Sequence, residues 1–138
     1  MFMDTITAII IGVVALAFLV VVLVVWKATR RKFSAQDQLF FRQKWDLISI
    51  KVNKDPARAI LEADKLLDLV LKKKGYQGSL GEKLKKSAKL FSNINGIWKA
   101  HKLRNAVAHE IDHQLSPNQA HEALQKFQRG LRDLGVDL

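Results

Sequence analysis

The run DPARAILEADKLLDLVLKKKG, residues 55–75, reads as one amphipathic helix with both ends marked. Ala59, Ile60, Ala63, Leu66, Leu67, Val70 and Leu71 recur at the i, i+3, i+4, i+7 spacing that puts apolar side chains on one face. Asp55 offers a capping carboxylate, and Pro56 has the fixed φ that suits a first helical position. Gly75 follows the last turn, and Gly75-Tyr76-Gln77-Gly78 reads as a turn. Such a stripe has to be buried against other elements, so the neighbouring sequence should supply them.

It supplies four more helices. One runs from about Gln36 to Val52, with Leu39, Phe40, Leu47 and Ile50 among its apolar positions. A short one runs from about Leu80 to Phe91, opened by a capping box of Ser79 and Glu82. The next runs from about Ile94 to Ile111, with Ile97, Ala100, Leu103, Val107 and Ile111 as its core stripe. The last follows Ser116 and Pro117 to about Leu134, turning Ala120, Ala123, Leu124, Phe127 and Leu131 inward before Gly135 stops it. No window alternates with period two. The expected fold is all-α: a compact four- to five-helix up-down bundle over residues 36–138, since short connections favour antiparallel neighbours.

The first 26 residues are different in kind. Thr5 to Trp26 carries no charge and is almost wholly aliphatic. Its length as a helix, roughly 33 Å, exceeds the roughly 30 Å hydrocarbon core of a bilayer. A secretory signal peptide fits less well: no basic segment precedes the run, the run is long, and no small-residue cleavage site follows. The expected organisation is a transmembrane anchor in residues 1–26 (helix about 5–26), a basic juxtamembrane linker in 27–35, and the helical domain in 36–138. Lys27, Arg30, Arg31 and Lys32 follow the run and only Asp4 precedes it. The positive-inside rule therefore puts the N-terminus outside and the domain in the cytoplasm, as a single-pass protein of the cell membrane. Ala8 and Gly12 give the anchor a small-xxx-small spacing, a weak pointer to helix pairing.

Net charge is +10 and there is no cysteine, which excludes disulfides and thiolate metal sites. Beyond the anchor flank, Lys72, Lys73, Lys74, Lys83, Lys85, Lys86 and Lys89 form a second basic concentration, with Glu82 the only acid among residues 72–89. A polyanion such as RNA is a plausible partner for it. A solvated lysine-rich helix face accounts for the charge equally well.

Chemistry concentrates in LRNAVAHEIDH, residues 103–113, where two signatures share His109. His109-Glu110-Ile111-Asp112-His113 spells H-E-x-x-H, the zinc-protease pattern, with Glu110 as general base. Asp112 inside the motif, the short helix left after His113 and the lack of a third ligand count against it. Arg104, Asn105 and His109 spell an Arg-x4-His pair instead. At 100° per residue His101, Asn105 and His109 share a face distinct from the core stripe, with Arg104 at its edge. A guanidinium donates two parallel hydrogen bonds to a phosphate, and an imidazole transfers protons near neutral pH. Together they provide what cleavage of RNA by its own 2′-hydroxyl needs, without a metal. On helical spacing alone the simpler reading is favoured, in which Arg104 pairs with an acid such as Asp64 or Glu62 while His109 only caps its helix.

The segment WKAHKLRNAVAHEID, residues 98–112, resembles the HEPN superfamily, whose hallmark is Arg-x4-6-His with a polar residue, often Asn, after the Arg. AILEADKLLDLVLKKKGY (59–76) and LSPNQAHEALQKFQRGLRDLG (115–135) look like a second and a closing helix of such bundles. The resemblance covers about residues 36–138. It implies a helical bundle that usually forms homodimers, with paired motifs lining a cleft and cleaving RNA without cofactor or metal. Carried onto this chain, His109 transfers the proton, Arg104 stabilises the phosphate and Asn105 orients one or the other. Lys72, Lys73, Lys74, Lys85, Lys86, Lys89 and His101 then stand as RNA contacts. Many family members have lost catalysis, so a tethered, non-catalytic interaction or RNA-binding module is the alternative expectation. A small metalloprotease is the third. The anchor departs from the soluble members and puts a toxin role in doubt.

Overall fold

In the computed structural model, residues 2–29 and 32–138 are described. They fall into two compact units, residues 1–32 and 33–138. Every regular element among the described residues is helical. Arg30 and Arg31 of the basic flank lie outside the described residues.

The first unit is one helix, α1 (Phe2–Thr29), of 28 residues. It is apolar on every side, and none of its apolar span is buried within the protein. Phe2–Lys27 is long and apolar enough to cross a membrane; a signal sequence near an N-terminus meets the same two criteria.

The second unit holds α2 (Ala35–Lys51), α3 (Pro56–Lys73), α4 (Leu80–Ser87), α5 (Ile94–His109) and α6 (Pro117–Asp133). A 3₁₀ turn at Ala88–Leu90 continues α4, which ends before the expected Phe91. The starts are built as the sequence suggested. Asp55 accepts from Arg58 N, and Ser79 with Glu82 and Ser116 with Gln119 form complete capping boxes. Gly75 and Gly135, at φ 97° and 94°, close α3 and α6 in the same way. In each the glycine N–H bonds back to the carbonyl three residues before it, and the next N–H, of Tyr76 or Val136, reaches five residues back. A side chain at either glycine would be strained.

α3 lies at the centre and packs against α2, α4, α5 and α6, while α5 packs against α6. All seven residues of the α3 stripe are buried. Phe41, Trp45 and Ile48 of α2, Leu84 of α4, Ile97 and Ala100 of α5, and Leu124, Phe127 and Leu131 of α6 complete the core. Burial of the larger of these side chains contributes about 1.5–3 kcal/mol each. α6 approaches α5 at Gly130, where an added Cβ would sit 2.5 Å from Ile97 Cδ1. The chain end folds back on α2: Gln38 Nε2 donates to Gly135 O, and Arg42 donates to both the carbonyl and the carboxylate of Asp137.

Leu39, Phe40, Leu47 and Ile50 lie on the exposed side of α2, while Phe41, Trp45 and Ile48 take the opposite face inward. One expectation fails. Ile111 is no part of the α5 stripe: the helix stops at His109, Glu110 turns extended (φ −95°, ψ 119°), and Ile111 is fully exposed.

Candidate functional site

Asp64 sits on α3 between Ile60 and Leu67, on the face that carries the core, and is 4% exposed. A carboxylate at such a position needs charged or donating partners, because an unpaired buried charge is strongly disfavoured. α5 provides them. Asp64 Oδ1 lies 2.7 Å from His101 Nδ1, and Oδ2 lies 3.2 Å from Arg104 Nε. The second contact is an ion pair without a directed hydrogen bond, since Arg104 Nε–H is not aimed at an acceptor.

The same residues are joined on their far side. Arg104 Nη1 donates to Asn105 Oδ1 at 2.9 Å, and Asn105 Nδ2 faces His101 Nε2 at 3.5 Å. Asp64, His101, Asn105 and Arg104 thus form a closed ring. Its donors and acceptors alternate consistently: a carboxylate only accepts, so Nδ1 carries the imidazole proton, and Nε2 presents its lone pair to the Asn105 amide. Helical spacing makes this possible, because residues three and four apart are neighbours on the α5 surface. Trp98, one turn earlier, sets its ring edge-on to His101 at 6.0 Å.

A hollow of about 320 Å³ opens beside the ring, lined by Asp64, Lys65, Asp68, Ser79, His101 and Arg104 among others. One of these lining residues, Asp68, is paired with Lys83, whose almost wholly buried ammonium lies 2.8 Å from Asp68 Oδ1. The hollow therefore combines the ion-paired Arg104 with Lys65, which is exposed.

His109 is the last residue of α5, one turn beyond Asn105, and is exposed. It makes no side-chain hydrogen bond or ion pair with any described residue. The motif is thus divided: Arg104 and Asn105 belong to the ring, and His109 stands outside it. Of the two acids considered as partners of Arg104, Asp64 takes it. Glu62 is held elsewhere, by Lys51 Nζ at 2.8 Å and by Arg58 Nε at 3.0 Å. Those two cations, Lys51 foremost, keep the Glu62 carboxyl below its ordinary value of 4.5.

The helical H-E-x-x-H arrangement is not formed. Glu110 to His113 lie in the turn after α5, where His113 Nδ1 meets Glu110 Oε2 at 3.0 Å. His121, on α6, meets Asn53 Oδ1 through Nε2 at 3.0 Å. Among the described residues no group of three or more His, Asp or Glu side chains is placed to hold a metal ion.

The lysines divide too. Lys72, Lys85 and Lys89 are exposed. Lys73 is exposed but pairs with Asp37 at 2.9 Å, and that hydrogen bond is the main cause of a lowered Asp37 pKa. Lys86 donates to Gln77 O. Lys74 is half-buried over the Phe33 ring, and burial lowers its pKa. Lys83 is no surface cation at all.

Asp64 was legible as one of two candidate partners of Arg104, but not as the shared partner of His101. Nothing in the sequence placed Trp98, Lys65 and Ser79 beside this ring, because three separate helices bring them together. Comparison with protein families, curated proteins and solved structures gives no match to this chain.

Proposed function

We propose that this chain is a single-pass membrane protein whose cytosolic, HEPN-like helical domain binds and cleaves RNA as a homodimer, without a metal. The observation that supports this reading is the ring itself: a guanidinium, an amide and an imidazole held together by one buried carboxylate beside an open hollow. Such preorganisation is what stabilising a phosphodiester transition state requires. His109, exposed at the helix end, accepts the proton of the 2′-hydroxyl. The 2′-oxygen attacks phosphorus, Arg104 stabilises the charge on the phosphoryl oxygens, and the 5′-oxygen leaves with a proton from the second copy's motif. The products are a 2′,3′-cyclic phosphate and a 5′-hydroxyl. The basic flank of α1 sets the cytosolic orientation.

The test is cleavage of single-stranded RNA by the full chain in nanodiscs with chelator present. Wild type cleaves and His109→Ala does not; equal rates for the two would overturn catalysis. A second reading, a tethered RNA-binding module without catalysis, is favoured by the tie of Arg104 to Asp64, which occupies part of the guanidinium. It predicts RNA binding that weakens steeply with salt and is indifferent to His109→Ala.

A further inference from the structure

The outer face of α2 is unlike that of any other bundle helix. Leu39, Phe40, Leu47 and Ile50 are 57%, 42%, 57% and 69% exposed. At 100° per residue they fall within an arc of about 100°, opposite the buried Phe41, Trp45 and Ile48. Apart from them, Ile111 is the only large hydrophobic residue described as exposed in the second unit. A stripe of this kind on a surface helix marks a contact.

The surroundings of the stripe are cationic. Lys44 is exposed, its ammonium 5.5 Å from the Phe40 ring centroid. Lys65 borders the same side, as does Lys51, whose charge Glu62 takes up, and a groove of about 350 Å³ between α2 and α3 is lined by Phe40, Lys44, Leu47, Lys65 and Leu69. Nearby acids are largely neutralised: Glu62 is held by Lys51 and Arg58, and Asp37 by Lys73. Asp46, at one edge of the stripe, is the exception. Apolar side chains rimmed by lysines match the boundary between acyl chains and anionic headgroups, where lysine stems lie along apolar surface and their charges reach the phosphates.

The covalent chain limits the distance. Only residues 30–34 separate α1 from α2, so at about 3.6 Å per residue α2 begins within roughly 22 Å of the end of α1. We propose that the Leu39–Phe40–Leu47–Ile50 face of α2 docks onto the anionic lipid surface of the membrane that α1 spans. The proposal rests on the anchor reading of α1, and on nothing in the RNA reading.

The absence of cysteine makes the test clean, since one introduced cysteine is the only labelling site. Full chains carrying Leu16→Cys, Leu47→Cys or Gln125→Cys are labelled with a small fluorophore. Each is placed at one copy per nanodisc containing anionic lipid and lipids bearing quencher at a shallow or a central depth. Leu16→Cys reports the anchor and is expected to be quenched from the bilayer centre. Leu47→Cys is expected to lose most of its emission to the shallow quencher, and to regain it in neutral lipid or with Lys44→Glu added. Gln125→Cys on α6 is expected to stay in water. Quenching at Leu16 without quenching at Leu47 overturns the docking proposal alone. No quenching at Leu16 overturns the anchor, and the docking proposal with it. Shielding of Leu47 that occurs only with two copies per disc assigns the face to a second copy and also overturns the proposal.

Discussion

Arg104 and His109 belong to one short motif on one helix, yet their surroundings differ in almost every physical respect. Arg104 is largely buried, ion-paired to Asp64 and bonded to Asn105. His109 is exposed at the last position of α5 and outside the ring. The first kind of residue is held still by the fold and cannot be altered without disturbing it. The second contributes little to the fold, so a strong effect of its loss would have to come through chemistry. Stability and activity should therefore separate along the motif.

The largest expected effect lies at the buried end. Asp64→Ala leaves His101 and Arg104 facing a cavity, and should lower unfolding stability by about 3 kcal/mol. That is the low end for breaking a buried ion pair, because a quarter of the Arg104 side chain remains exposed. Denaturant titration of the bundle measures it; a loss no larger than at an exposed site would show that the ring does not hold α3 to α5. Asn105→Ala opens the ring without stranding a charge, and about 1 kcal/mol is expected from the same titration.

A pH titration sharpens the contrast from a different place. The Glu62 pKa is lowered by Lys51 and Arg58, so Glu62 stabilises the fold above its ordinary value of 4.5. That contribution is lost as pH falls below this value and through the lowered folded pKa. Glu62→Gln should be less stable than wild type at neutral pH, with the gap closing under acid. A gap that did not change with pH would contradict the assignment. The effect is modest, since these side chains are about a third exposed. The smallest effect is at the exposed end: His109→Ala should change stability by no more than about 0.5 kcal/mol, as other surface substitutions do.

Where the sequence was legible, one residue type had one physical role. The α3 stripe, the Ser79–Glu82 capping box and the glycine stops were readable because local chemistry alone determines them. α2 was not, because it is apolar on two faces and periodicity does not say which one the core takes. The end of α5 was missed because no glycine or proline marks it. Glu110 and Asp112 place negative charge at the helix C-terminus, where the dipole disfavours it, and Ile111 then had no core to reach. The ring was half legible. The spacing of His101, Asn105 and Arg104 was visible, and Asp64 was one of two acids weighed as the partner of Arg104. The hollow was not visible, because α3, α4 and α5 jointly form it.

The central claim is that an exposed histidine completes a site whose phosphate-binding half is built into the core. It is tested most directly by the single-turnover rate of RNA cleavage by the full chain in nanodiscs with chelator, wild type against His109→Ala. The predicted result is a fall of at least about a hundredfold, the usual contribution of a proton-transfer group, with unchanged stability and 2′,3′-cyclic phosphate ends in the wild-type products. Equal rates for the two proteins would contradict it.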